Sequence, residues 1–308
     1  MAMVQSKPGA RTRPDLLVVG GGKGGVGKTC FAVNTAVEIA RRGWRVVLFD
    51  ADLGCSNIET VLGFRAPLKL DAYFAQGGEK DLGAVLCDTP YPNLRLLPGS
   101  SGTFTSANPQ YQDKVSLIKA LYTLDADVVI VDLEAGTHVN TLDFFLMSET
   151  CGVLVITPER TSIDNAFKFL RAALFRRLER FYQAPEMAEI LRRVDSLPAV
   201  LDGLRRLEGV PLPVRERLAE EIVTVAQRLK PRIVVNKAAN AYEAKIACNI
   251  LNKYVRQWLC VEPENLGLIY FDQYVSEAVN SGVPFVAARP QLRISSCVVE
   301  LANRLGYL

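Results

Sequence analysis

The stretch GGGKGGVGKTC, residues 20–30, limits the possible fold more than any other part of the chain. Gly22 to Thr29 reads G-x-x-x-x-G-K-T. It follows the apolar run LLVVG (16–20) and precedes FAVNTAVEIARRG, which has helical periodicity. Such a loop between a strand and a helix lets backbone N–H groups converge on an anion, and the helix N-terminus adds partial positive charge there. In this setting Lys28 is placed to reach the β- and γ-phosphates of a nucleotide, and the Thr29 hydroxyl to ligate Mg2+. One lysine is enough for that task. Lys23 is a second, five residues earlier in the same loop.

Six further apolar runs follow: RVVLFD (45–50), LRLLPG (94–99), DVVIVD (127–132), GVLVITP (152–158), RIVVNK (232–237) and LGLIYFD (266–272). They lack the in/out alternation of half-exposed strands, and helical patterns separate them. Strands apolar on both faces belong to a parallel sheet covered on both sides. The predicted fold class is therefore α/β: a doubly wound, mainly parallel sheet flanked by helices, with ligands at the carboxyl ends of the strands.

The rhythm breaks between ITP (156–158) and RIVVNK, where more than seventy residues hold no strand-like run. Helical patterns fill the gap, punctuated by Pro185, Pro198, Pro211 and Pro213. A crossover needs only a dozen or so residues, so a helical insertion is predicted at about 172–228. Residues 171–230 carry twelve Lys/Arg and nine Asp/Glu, a net of +3 that equals the formal charge of the whole chain. Residues 1–14 read as a flexible, slightly basic tail, and 15–308 as one domain carrying the insertion.

The N-terminal MAMVQSKPGARTRPD has no apolar core of a secretory signal, and no run reaches the roughly 18 apolar residues of a membrane span. The seven cysteines, at 30, 55, 87, 151, 248, 260 and 297, form no C-x-x-C pair and read as reduced core thiols of a cytoplasmic protein.

K-G-G-V-G-K-T at 23–29 resembles the deviant Walker loop of the MinD/ParA class of P-loop ATPases. DADLGCSN (50–57), LLPGSSG (96–102), VDLEAGTHVNTLDFF (131–145), ITPERTSIDNAF (156–167), VVNKA (234–238) and YFDQYVSEAVNSGVPFV (270–286) are similar to the MinD branch, and within it to FlhG/FleN-type flagellar-number regulators. The resemblance covers roughly 15–165 and 230–308. It implies ATP and Mg2+ as cofactors, slow ATP hydrolysis, and a homodimer that exists while ATP is intact. Lys23 would then reach across to the partner's nucleotide, where a γ-phosphate held between two protomers draws a lysine from each side.

The resemblance also assigns roles along the sheet. Gly22, Gly24, Gly25, Val26, Gly27 and Cys30 complete the loop's nucleotide contacts beside Lys23, Lys28 and Thr29. Asp50 faces the Mg2+ region and contacts it through water. Asp52 orients the attacking water, a sufficient role where positioning and electrostatics supply the catalysis. Asp132 ends the VVIVD strand and holds Mg2+ through water. Gly136 offers its N–H to the γ-phosphate. Asn236 reads the adenine edge, with Lys237 and Asp272 beside the base. Glu134 departs from the small residue usual in the family. It is read either as acting on the γ-phosphate region or as pointing outward to a partner.

The leading functional reading is an ATP-dependent dimerising switch that controls the position or number of a cellular structure. The alternatives are a ParA-like, DNA-associated partitioning ATPase and a metal-cluster carrier or reductase of the same superfamily, whose bridging cysteines are lacking. LRISSCVVELANRLGYL, at the end of the chain, reads as a core-facing domain helix rather than a membrane anchor. A protein partner is expected to bind through the helical insertion, with DNA or a membrane surface as the other candidates. The expected location is cytoplasmic, peripheral to membrane or nucleoid when ATP is bound.

Overall fold

The structure, a computed structural model, describes residues 13–52, 57–75, 81–100, 111–148 and 152–308. The tail through residue 12, positions 53–56 of DADLGCSN, the end of LLPGSSG, Cys55 and Cys151 lie outside the described residues.

In chain order the elements are β1 (Asp15–Gly20), α1 (Lys28–Arg41), β2 (Val46–Ala51), α2 (Ile58–Leu62), α3 (Leu70–Ala75), β3 (Cys87–Asp88), β4 (Leu94–Leu97), α4 (Tyr111–Leu121), β5 (Val128–Leu133) and α5 (Val139–Phe145). Then come β6 (Val153–Ile156), α6 (Arg160–Phe181), α7 (Pro185–Arg193), α8 (Leu197–Arg205), α9 (Leu212–Gln227), β7 (Arg232–Ala238), α10 (Ala241–Leu259), β8 (Glu264–Tyr270), α11 (Tyr274–Ser281), α12 (Phe285–Ala288) and α13 (Arg293–Arg304). The sheet order is β3-β4-β2-β5-β1-β6-β7-β8. Every pairing is parallel except β3 with β4.

The seven apolar runs each became a strand. They lack polar alternation because both faces are covered. In β1, Leu16 and Val18 enter one core, while Leu17 and Val19 enter the other. β2 divides in the same way, with Val47 and Phe49 on one side and Val46 and Leu48 on the other. The first core lies under α5, α6 and α10, and the second under α1, α11 and α13. Burial of this kind is worth roughly 1.5–3 kcal/mol per large side chain before chain entropy is counted. Among the described residues no helix is long and apolar enough to cross a membrane. The five described cysteines are free thiols.

Between β6 and β7, helix α6 is followed by α7, α8 and α9. Pro residues begin these three helices, where a missing N–H costs nothing. Ser196 caps α8 by accepting from the Ala199 N–H at 3.3 Å. Met187, Leu191, Val200, Leu204 and Ile222 join the same core as α6 and α10.

A buried ion cluster ties α4, α5 and α6 together. Asp143 of α5 accepts from Lys114 of α4, and from Arg176 of α6 at 2.9 and 3.3 Å. Lys114 also donates to Asn140 at 3.3 Å. Burial alone would raise the Asp143 pKa, but the hydrogen bonds from Arg176 and Lys114 outweigh it and hold the carboxyl below its ordinary value. Removing one partner of a buried ion pair strands the other charge. Asp143→Ala should therefore lower the unfolding free energy by about 3–5 kcal/mol in a urea titration near neutral pH. Because the folded pKa is depressed, the stabilisation is complete above the ordinary aspartate range of about 4. It is lost as pH falls through the folded value, so the two stability curves should converge only in that acidic window.

Candidate nucleotide site

The carboxyl ends of the central strands gather the candidate residues at one rim of the sheet. β1 leads into the Gly-rich loop, and the loop into α1. Gly27 at the N-cap has φ 92° and supplies no side-chain cap, so the first-turn N–H groups face outward for an anion. Three neighbours hold the loop's shape. Asn236 of β7 donates Nδ2 to the Val26 carbonyl at 2.8 Å. Lys237, at φ 58°, donates Nζ to the Gly25 carbonyl at 2.8 Å. On the other side, the loop backbone at Gly22 lies against the Asn165 carbonyl of α6 so closely that a Cβ would sit 2.1 Å from that oxygen.

The two lysines stand in different surroundings. Lys28 is 9 % exposed. Burial lowers its pKa, and the charges of Asp132, Asp52 and Glu134 act in the opposite sense. Lys23 is on the outer rim, its side chain 40 % exposed. It donates to Glu159 Oε2 at 3.2 Å and to Thr161 Oγ1 at 3.0 Å, both where α6 begins. Sequence reasoning missed these two partners: ITPERTS was noted for its resemblance, but no spacing rule links residues 23 and 159.

Asp50, Asp52 and Asp132 come together beside the loop, with Asp50 and Asp132 in register on β2 and β5. Asp50 accepts from the Asn57 and Ile58 N–H groups at 3.1 Å each and from the Asp52 N–H at 3.3 Å. It thus ties the strand end to the start of α2. Asp50 and Asp132 are both buried, and Asp132 is hydrogen-bonded by Thr29. Burial lifts its pKa to about 7, against the pull of Thr29 and Lys28. Its Oδ1 has no hydrogen-bond partner among the described residues. A hard divalent cation suits this donor set, a hydroxyl and a carboxylate with an orphaned oxygen.

The Gly136 N–H donates to the Gly21 carbonyl at 3.3 Å, so the segment after β5 rests on the loop itself. Glu134 is half-buried, and its charge is felt by Lys28. His138 is exposed at the N-cap of α5.

A cavity of about 300 Å³ opens beside the loop, lined by Gly27, Cys30, Phe31, Asn236, Lys237, Phe271 and Asp272, with α11 behind. It has the size and the apolar walls of a small-ligand site. Burial pushes the Cys30 thiol up to about 11, opposed by the Lys237 charge and the Asn34 hydrogen bond. The Asp272 carboxylate accepts from the Tyr274 N–H at 2.9 Å and so fixes the start of α11. The apolar lining from Phe31 and Phe271 was missed in the sequence, where neither was singled out from its helix or strand run.

Residues 17–285 match the CobQ/CobB/MinD/ParA nucleotide binding domain. The chain is 30% identical over 162 residues to the flagellum site-determining protein YlxH of Helicobacter pylori, covering 50% of this chain and 52% of that one. It is 35% identical over 158 residues to the antiactivator FleN of Pseudomonas aeruginosa, covering 51% and 55%. The matches thus span about half the length of these two relatives. Among solved structures, the septum site-determining protein MinD of Pyrococcus horikoshii, complexed with Mg-ADP, superposes with a TM-score of 0.64 at 19% identity, covering 95% of this chain and 96% of that one.

The loop geometry separates two neighbouring glycines. Gly22→Ala drives a methyl into backbone of α6, whereas at Gly24 a Cβ meets nothing within 4 Å. Without nucleotide, Gly22→Ala should destabilise the chain by about 1–3 kcal/mol, as overpacking does. Gly24→Ala should stay within about 0.5 kcal/mol. Thermal unfolding of the two variants checks the contrast.

Proposed function

We propose that this chain, which belongs to the CobQ/CobB/MinD/ParA nucleotide-binding family, is an ATP-dependent dimerising switch that acts in positioning or numbering a cellular structure. The observation that carries the reading is the separation of the two loop lysines. Lys28 is buried among carboxylates inside its own site, and Lys23 is turned to the rim, where a second protomer could meet it. A single buried lysine would serve nucleotide binding alone. A second, exposed lysine on the same loop suits a γ-phosphate held between two copies.

In this reading the loop N–H groups and Lys28 bind the phosphates, while Gly22, Gly25, Val26 and Gly27 set the backbone path. Thr29, Asp132 and, through water, Asp50 would hold a magnesium ion, which supplies positive charge at the phosphate oxygens. Asp52 orients a water for attack on the γ-phosphorus. Asn236, Lys237, Cys30 and Asp272 border the base in the cavity beside the loop. Gly136 is the sensor: its N–H leaves the Gly21 carbonyl for a phosphate oxygen, and the segment after β5 moves with it. Asp143 on α5 then carries that displacement to Arg176 on α6, and so to the helical segment 172–228, which we assign to partner binding. The segment's arginine pairs, at 176–177, 192–193 and 205–206, do not favour DNA. One member of each is held by a carboxylate: Arg176 by Asp143, Arg193 by Glu189 and Arg205 by Asp202.

Lys28→Ala should lose nucleotide binding. Lys23→Ala should keep monomer affinity within a few-fold and lose ATP-dependent dimerisation, and Asp52→Ala should bind ATP and accumulate the dimer. Light scattering after size exclusion, with ATP and magnesium, reads all three. Equal loss of binding in both lysine variants would place Lys23 in its own protomer's site, and a dimer indifferent to nucleotide would reject the switch. Wild-type turnover should fall below the enzyme median of about 10 s⁻¹, and Glu134→Gly, which removes a negative charge near Lys28, should raise it. An unchanged rate would mean that Glu134 does not act on the phosphate.

A further inference from the structure

Helix α10 carries an apolar stripe on its outer face. Tyr242, Ile246, Ile250, Tyr254 and Trp258 follow one another at every fourth residue. Tyr242 is 74 % exposed, and the other four are 38–41 % exposed. The helix has already satisfied its inner face: Ala244, Ala247, Cys248, Leu251, Val255 and Leu259 are buried against the sheet. Five large apolar side chains in line exceed the scattered exposure normal for a monomer surface. At ~1.5 Å per residue, the stripe runs for about 24 Å.

Three features of the stripe identify what covers it. First, four of the five side chains are about three-fifths covered, and Tyr254 leans on Phe167 of α6 with ring centroids 6.1 Å apart. The stripe is thus partly recessed, with its Tyr254 end against α6. A flat bilayer does not reach recessed side chains, whereas the ridge of a helix does. Second, Lys245 and Lys253 flank the stripe on its open side, and no salt bridge is recorded for either among the described residues. Arg256 beside them is paired with Glu262 at 2.7 Å, and the Glu243 carboxylate is held by the Ala239 N–H at 2.7 Å. On the α6 side, Asp164 and Arg171 stand one turn either side of Phe167 and offset each other in charge. The open rim is therefore basic and calls for acidic groups. Third, an antiparallel pairing of two α10 helices centred on Asn249 sets Lys245 of one copy opposite Lys253 of the other, which argues against self-association in that arrangement.

We propose that the α10 stripe is the docking site for an amphipathic helix of a partner protein, about four turns long, whose apolar ridge is flanked by acidic side chains. The stripe lies on α10, outside the helical segment 172–228 in sequence, and in this proposal its occupation does not depend on dimerisation.

Trp258 is a built-in reporter, since the chain's other tryptophan, Trp44, is buried. The probe is a synthetic four-turn peptide with leucines at i, i+3, i+4 and i+7 and glutamates on both flanks. A lysine-flanked copy is the control. The glutamate peptide should shift Trp258 emission to the blue with saturation, and the lysine peptide should not. The double variant Ile246→Glu, Ile250→Glu should weaken binding about tenfold or more, as loss of an interface centre does. The double variant Lys245→Glu, Lys253→Glu alters only exposed positions, and it should reverse the peptide preference. Thermal midpoint and nucleotide affinity should stay at wild-type values in both. The absence of a saturable shift with the glutamate peptide, or binding unchanged by the variants, would overturn the proposal. So would phosphatidylglycerol vesicles that sediment the wild type and not the Ile246→Glu, Ile250→Glu variant, which would make the surface lipid-binding. Sedimentation velocity showing self-association lost in that variant would assign the stripe to a second copy and also overturn it.

Discussion

The phosphate loop owes its shape to contacts made by distant parts of the chain. Gly22 lies against the backbone of α6 with no room for a Cβ, while Asn236 and Lys237 at the end of β7 grip the carbonyls of Val26 and Gly25. Backbone N–H groups can converge on an anion only if the carbonyls between them are turned away and held. Here the holding groups come from the helix that follows β6, β1's neighbour, and from β7 on its far side. The loop therefore forms properly only when β1, β6 and β7 are in register, so phosphate binding reports on the whole centre of the sheet.

Charge balance at that rim follows the same logic. Burial lowers the pKa of Lys28, and the charges of Asp132, Asp52 and Glu134 offset that only in part. Asp132 in turn pays for its own burial with a raised pKa and an orphaned oxygen. Neither group is at ease alone. In the proposed reading each is half of an arrangement that an anionic ligand and a cation would complete together; perturbed groups commonly cluster in binding sites.

Much of this was legible in the sequence, because the strong signals are local. The seven apolar runs specify strands through composition over five or six residues, and G-x-x-x-x-G-K-T specifies a loop through its spacing. β3 escaped notice because two residues, Cys87 and Asp88, hold no period. Tertiary pairing was invisible for a different reason. Glu159 meets Lys23 and Arg176 meets Asp143 only because parallel topology brings distant segments together. LDFF was noted as a resemblance, yet nothing local marks its aspartate as the hub of a buried cluster. The α10 stripe shows the limit of period reading. Apolar residues at every fourth position predict a helix face, but whether that face is covered depends on elements elsewhere in the chain.

The place of β1 in the sheet sets an order of events during synthesis. The strand that carries the phosphate loop emerges first, yet its partners are β5 and β6, with Asp15 opposite Val128 and Val19 opposite Val153. β2 likewise needs β5 and β4. β2 lacks its full set of neighbours until the chain has grown past Leu133, and β1 until it has grown past Ile156. Local pairing cannot hide them, since parallel strands admit no hairpin. A nascent chain of this topology thus carries β1, apolar on both faces, without its full set of neighbours through about half of its translation, so the strand bearing the Gly-rich loop is among the last of the central strands to be locked in place.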